Sequence, residues 1–304
     1  MMVFTATVQA ARQRSTDAVE QLPPHACFLV SVLFHYLGPA LAVLLFAHLP
    51  VLGVAWLRIA AAALVFAVWR RPWRFVAAWS WPQRRTLLLL GVVLGAMNAV
   101  FYLAIARVPL GTVGAIEYLG TIVLAAIGVR TGRNGVALGA AVVGVWCLTD
   151  AGLDGQWLGF TLAFANCALF VLYVMLGHQI ARDGGSAGID RLGVAMLVAL
   201  VTVTPFAVGD VAPASSEPKL LLAGLGVGLC SSVIPYVCDQ LAMARLPRAT
   251  FALLLALLPA SASTVGLVVL RQVPTRLEVA GVLLVIAGVA IHQPADPLNG
   301  LSHE

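Results

Sequence analysis

The sequence predicts an all-α integral membrane protein with ten transmembrane helices arranged as two inverted five-helix repeats. Three observations predict it. Hydrophobic residues make up 61% of the 304 and charged residues 10%, with a mean hydropathy of +0.97; such a chain has too few polar side chains to cover the surface of a water-soluble domain. Apolar windows of about 20 residues, the length that crosses ~30 Å of hydrocarbon, recur ten times. A ten-residue segment of the first half returns in the second half at a position five windows later.

Residues 1–25 precede the first window. Their apolar run at 3–8 is too short for a signal peptide and leads into Arg12, Arg14, Asp17 and Glu20, so they read as a cytosolic tail. The windows then fall near 26–47, 50–69, 86–106, 108–128 and a short one at 135–149, followed by 156–179, 192–209, 219–244, 248–270 and 275–292. Two units result, 26–149 and 150–292. The last residues, 293–304, contain Pro294, Pro297 and Gly300 and are expected to be disordered.

Basic residues orient the spans. With the N-terminus inside, thirteen Arg collect on the cytoplasmic side, five of them in the 70–85 loop, while Arg107, Lys219, Arg271 and Arg276 face outward. The positive-inside rule therefore predicts a multi-pass protein of the cell (plasma or inner) membrane with both termini in the cytoplasm. The 70–85 loop also carries Trp73, Trp79 and Trp81. Arg with interfacial Trp is the membrane-edge pattern, and no nucleic-acid partner is expected.

The returning segment is LAIARVPLGT at 103–112 and LAMARLPRAT at 241–250, a constant offset of 138 residues (Leu103 to Leu241). It links spans three and four in one half, eight and nine in the other. Five spans separate the copies, so one lies outside and the other inside, as in an inverted-topology repeat with a midplane binding site between its halves.

Only Arg58, Glu117 and Asp239, of 31 charged side chains (18 basic and 13 acidic), fall well inside the apolar windows, the others lying at window ends or between them. A charge at that depth costs several kcal/mol, so these positions are the first place to look for function. At 1.5 Å per residue, Arg58 lies ~12 Å in from Pro50, Glu117 ~12 Å in from Pro109, and Asn98 ~13 Å in from Arg107. Arg58 and Glu117 are expected to face the bundle interior and neutralise each other, directly or through water, as a structural pair or as a split site. A split site would offer guanidinium to a carboxylate and carboxylate to an ammonium or a proton. Asp239 lies ~12 Å from the inner face; it either lines a cytoplasmic entrance or approaches interfacial Arg residues, and with Glu117 it is a candidate for proton coupling. Pro235 should bend span eight, and Pro259 should free carbonyls inside span nine.

Weaker polar candidates are His35, Tyr36, Asn166, Tyr173, Tyr236, Ser261 and Ser263. Gly91/Gly95, Gly135/Gly139 and Gly224/Gly228 are small-residue pairs that permit close helix contact. Cys27, Cys147, Cys167, Cys230 and Cys238 form no C-x-x-C pair, so no metal site or disulfide framework is expected. GGSAG at 184–188 formally matches G-x-S-x-G but lacks a strand-turn-helix context and reads as a flexible loop. The sole lysine, Lys219, follows Pro218, so the chain has no phosphate-binding P-loop of its own. Neither an enzyme activity nor a cofactor is expected.

MNAVFYLAIARVPLG at 97–111, AIEYLG at 115–120, WLR at 56–58 and IPYVCDQLAMARLPRATF at 234–251 together resemble the EamA family of the drug/metabolite transporter superfamily, most of all its threonine/homoserine exporter branch. The resemblance implies a ten-helix carrier with a central cavity that exports small amino acids or related metabolites, driven by the proton gradient. It also implies that Arg58, Asn98, Tyr102, Glu117, Tyr173, Tyr236 and Asp239 line the cavity. The chain departs from the family where Leu258 replaces a Glu, Arg271-Gln272 replaces Gly-Glu, and Thr121 stands for a Pro.

The expected function is secondary active export of a small zwitterionic metabolite by alternating access with proton antiport. The partners are that substrate, protons and the lipid bilayer. A broad-specificity carrier of drugs or neutral metabolites, a uniporter or a channel is the alternative.

Overall fold

A computed structural model describes residues 23–76, 79–128, 131–150, 156–181, 185–246, 254 and 257–291; the tails expected at 1–22 and 293–304 and the loop at 151–155 lie outside them. Among the described residues the regular structure is entirely helical. The long helices are α1 (Pro24–Leu45), α2 (Val51–Arg70), α3 (Trp81–Ile105), α4 (Leu110–Gly128), α5 (Gly132–Asp150), α6 (Trp157–Ala181) and α7 (Gly185–Ala207), then α8 (Pro218–Gly228), α9 (Ile234–Arg245), α10 (Leu257–Leu270) and α11 (Arg276–Ile291). Six stretches are long and apolar enough to cross a membrane: His25–Leu45, Val51–Arg70, Trp81–Ile105, Trp157–Gly177, Gly188–Ala214 and Pro218–Asp239. Leu110–Val123, Gly132–Leu148 and Leu257–Leu270 are shorter apolar helices.

Helix ends follow local chemistry. Pro24 and Pro218 open α1 and α8, where a missing N–H costs nothing. Ser80 and Gln83 form a capping box at the start of α3. Arg71 ends α2 in the left-handed region with φ 48°, its N–H bonded to the Ala67 carbonyl. Span five is longer than its apolar window suggests, because the Gly-, Arg- and Asn-containing turn at 132–134 is already helical. GGSAG does not read as a loop here: the helix begins at Gly185.

The helices pack in defined pairs. α3 lies on α6 and α7, α4 on α6 and α10, α1 on α9 and α10, α2 on α7 and α8, and α5 on α11. Two of the small-residue pairs serve this packing. A Cβ on Gly91 would sit 2.4 Å from Val198 Cβ, and one on Gly228 would sit 2.5 Å from Ala61 Cβ, so α3/α7 and α8/α2 approach at backbone distance. Gly135 and Gly139 meet nothing within 4 Å and lie on the exposed face of α5; that pair takes no part in the bundle.

Just after the C-terminal end of α10, Arg271 has φ 55°. This is the left-handed conformation that glycine adopts freely and an L side chain pays for. The neighbouring Gln272 turns its side-chain oxygen onto the Leu110 N–H at the start of α4, 3.0 Å away. Arg271→Gly should accordingly raise thermal stability by about 1 kcal/mol, seen as a higher unfolding midpoint in detergent. An unchanged or lower midpoint would contradict the strain argument.

Candidate functional site

The charged and polar residues predicted at one membrane level do converge, but not as a salt bridge. Arg58, on α2, is 5% exposed; its Nε donates to Ser232 Oγ at 2.9 Å and its Nη2 to the Ser231 carbonyl at 2.9 Å. Glu117, on α4, accepts from Tyr36 Oη through Oε2 at 3.3 Å and from Asn166 Nδ2 through Oε1 at 3.1 Å. Of the two forms of pairing expected from the sequence, directly or through water, the direct one is corrected: the hydrogen bonds of each side chain go to neutral groups. Among the described residues the recorded ion pair is Arg70 with Asp190, 2.6 Å apart, joining the end of α2 to the beginning of α7.

A proline explains why Arg58 binds where it does. Pro235 lacks an N–H, so the Ser231 carbonyl four residues earlier loses its α-helical partner. The chain between α8 and α9 widens into one π turn, Leu229–Val233, with the Ile234 N–H bonded to the Leu229 carbonyl. Such a bulge is common at functional sites, and here the freed carbonyl accepts the guanidinium. Pro259 is the third described residue of α10, residue 254 is helical as well, and the carbonyl it would free, four residues earlier, lies outside the described residues.

The remaining candidates surround these two charges. Tyr102 places its ring 5.2 Å from the Arg58 guanidinium carbon, a cation–π contact. Asn98 donates to the Leu94 carbonyl at 2.7 Å. Tyr173 stacks on Tyr236, with centroids 6.3 Å apart, and the row continues through Phe170 to Tyr118. Asp239 is not isolated: Ser31 on α1 donates to its Oδ1 at 2.5 Å, tying α1 to α9. Ser261 and Ser263 spend their hydroxyls on the carbonyls of Val32 and Pro259, which leaves them structural.

Four buried polar atoms have no hydrogen-bond partner among the described residues: His35 Nδ1, Tyr102 Oη, Asn166 Oδ1 and Ser231 Oγ. Each carries a desolvation cost of about 1–3 kcal/mol. Three belong to residues that contact Arg58 or Glu117 directly, and the fourth adjoins Tyr36. The hydroxyls of Tyr102 and Ser231 can donate beside the guanidinium, whereas the amide oxygen of Asn166 can only accept, beside the carboxylate. The arrangement presents a donor-rich cationic pole and an acceptor-rich anionic pole.

Ser31, Tyr118, Ser231 and Ser232 were absent from the residues singled out by sequence, while Tyr36 and Asn166 stood only among the weaker ones. The serine pair had a legible signal: two hydroxyl residues ending four and three positions before Pro235 inside an apolar span. Ser31 had none, because only the packing of α1 on α9 brings it to Asp239.

Comparison with known proteins identifies the family. Residues 157–292 match the model of the EamA-like transporter family. The threonine/homoserine exporters RhtA of Salmonella typhimurium LT2 and Escherichia coli K12 are each 31% identical over 253 residues, covering 82% of this chain and 84% of theirs. A crystal structure with 17% identity superposes with a TM-score of 0.56 over 91% of this chain and 99% of the other, a likeness of fold.

Proposed function

The chain belongs to the EamA-like transporter family, and from that premise we propose a secondary active exporter of small amino acids or related metabolites that works by alternating access, with proton antiport. It is a multi-pass membrane protein and not an enzyme. The observation that carries the substrate reading is the pair of unjoined buried charges, Arg58 and Glu117, each flanked by unpartnered polar atoms. Two buried charges that make no direct contact are costly to desolvate, and a zwitterion supplies a charged hydrogen-bond partner to both at once. The relatives named as threonine/homoserine exporters make L-threonine the first substrate to test.

Alternating access rests on the inverted repeat of ten spans. Exchanging α1 with α6, α2 with α7, α3 with α8–α9, α4 with α10 and α5 with α11 carries the observed helix pairs onto one another: α3/α6 onto α1/α9, α3/α7 onto α2/α8, and α4/α6 onto α1/α10. The offset of 138 carries Asn98 onto Tyr236, both buried. These exchanges support a two-fold axis in the membrane plane and a site that two equivalent halves expose in turn. The Arg70–Asp190 pair lies on the side that the positive-inside rule makes cytoplasmic, in keeping with an N-in, C-in chain.

Coupling is assigned to Glu117 and Asp239. In proteoliposomes Glu117→Gln and Asp239→Asn should lose uphill, pH-driven threonine accumulation. The variant at the proton-carrying position should keep counterflow, since exchange reorients the loaded carrier without net proton movement. Full pH-driven accumulation in both variants would place the coupling on other groups, and no pH-driven accumulation by the unmodified protein would leave a uniporter. The aromatic row Tyr118–Phe170–Tyr173–Tyr236 is the observation that favours the other reading, a carrier of aromatic or cationic drugs; such a carrier would tolerate loss of Arg58.

A further inference from the structure

Resting on the zwitterion reading, we infer that Asn166 is itself a substrate-binding residue that receives the ammonium group, and that Glu117 does not receive it alone. The argument begins with the orientation of the amide. Its nitrogen donates to Glu117 Oε1 at 3.1 Å, and the reverse orientation would set two acceptor oxygens against each other, so the hydrogen bond fixes which way the group points. The oxygen is then turned away from the carboxylate. It is buried, in a residue with no exposed surface, and no described group donates to it.

Helix packing offers no relief to this oxygen. Asn166 sits in α6, which packs chiefly on α3 and α4 and also meets α7, and the polar side chains that α3 brings to the site are committed or better placed elsewhere. Asn98 donates its amide to Leu94. Tyr102 lies over Arg58.

Glu117 is capped on both oxygens by neutral donors. Each oxygen keeps a second lone pair, but the approach to it is shaped by Tyr36 on one side and Asn166 on the other. A primary ammonium has three N–H donors in a tetrahedral arrangement. One can meet the free lone pair of Oε1, and a second the Asn166 Oδ1 held beside it by the same amide. A tertiary ammonium carries the same charge with one N–H and can satisfy only one of the two. Asn166 thus reads the number of N–H groups, while Glu117 reads the charge.

The test compares transport of L-threonine with that of N,N-dimethyl-L-threonine in proteoliposomes. The unmodified carrier should prefer the primary amine by about tenfold in kcat/KM, the size of one buried hydrogen bond. Asn166→Leu should bring that ratio close to one; Asn166→Ala reads the same ratio should the larger side chain fail to insert. Tyr36→Phe, which also removes a hydrogen bond from Glu117 but leaves the amide oxygen in place, should weaken both substrates and keep the ratio. A preference that survives in the Asn166 variants, or one lost equally in Tyr36→Phe, overturns the assignment while leaving the carrier reading intact. Absence of threonine transport by the unmodified protein overturns both.

Discussion

Arg58→Ala and Glu117→Ala are each expected to abolish threonine transport, and the double variant is expected to remain inactive and to be less stable than either single one. Removing the guanidinium orphans the Ser231 carbonyl and the Ser232 hydroxyl; removing the carboxylate orphans Tyr36 and Asn166. The orphaned groups should cost about 1–3 kcal/mol at each site. Because the two sets share no member, the costs should add to within about 0.5 kcal/mol. A buried ion pair behaves otherwise: breaking it strands one charge, and removing both partners restores much of the loss. Thermal unfolding of the four proteins in detergent distinguishes the cases. A double variant as stable as the unmodified carrier would return the two residues to a structural pair.

Gly38→Ala should have the largest effect among changes that touch no charge. A Cβ at this position would lie 2.1 Å from Ser231 Oγ, 2.6 Å from Ser231 N and 2.7 Å from Ser231 Cα. The hydroxyl could rotate away, but the backbone atoms cannot, because they form the π turn that presents the Ser231 carbonyl to Arg58. Overpacking of this kind costs about 1–3 kcal/mol or more, and here it also displaces the carbonyl that accepts from the Arg58 guanidinium. The expected result is a lower unfolding midpoint together with a raised KM for threonine. By contrast Gly135→Ala, whose Cβ would meet nothing, should leave both unchanged. If Gly38→Ala transported normally, the contact between α1 and the π turn would not be what positions Arg58.

Both predictions show which parts of the protein the linear chain reveals. Arg58 and Glu117 stand out because a charge in an apolar window is expensive wherever that window folds; the cost is a property of the residue and the solvent. Helix positions, too, come from apolar runs of sufficient length, and Pro24, Ser80 and Pro218 mark helix starts by chemistry that acts within one turn. Partner choice is different. Arg58 could not be assigned to Ser231 and Ser232, 173 and 174 residues away, since nothing local selects between a carboxylate on α4 and a carbonyl freed by a proline near α9. The expected pairing of opposite charges gave way because the guanidinium found a geometrically fixed acceptor first.

The same division applies to Asp239 and Asn166. The sequence by itself determined that this is a helical membrane protein and that a few charged and polar residues fall within its apolar spans, because hydrophobicity and charge burial depend on composition and spacing alone. Only the tertiary structure decided that Ser31 holds Asp239, that Tyr36 and Asn166 hold Glu117, and that one amide oxygen is left open. Those are contacts between helices distant in sequence, and their hydrogen-bond geometry exists only once close-packed glycines and a widened turn have brought the helices together.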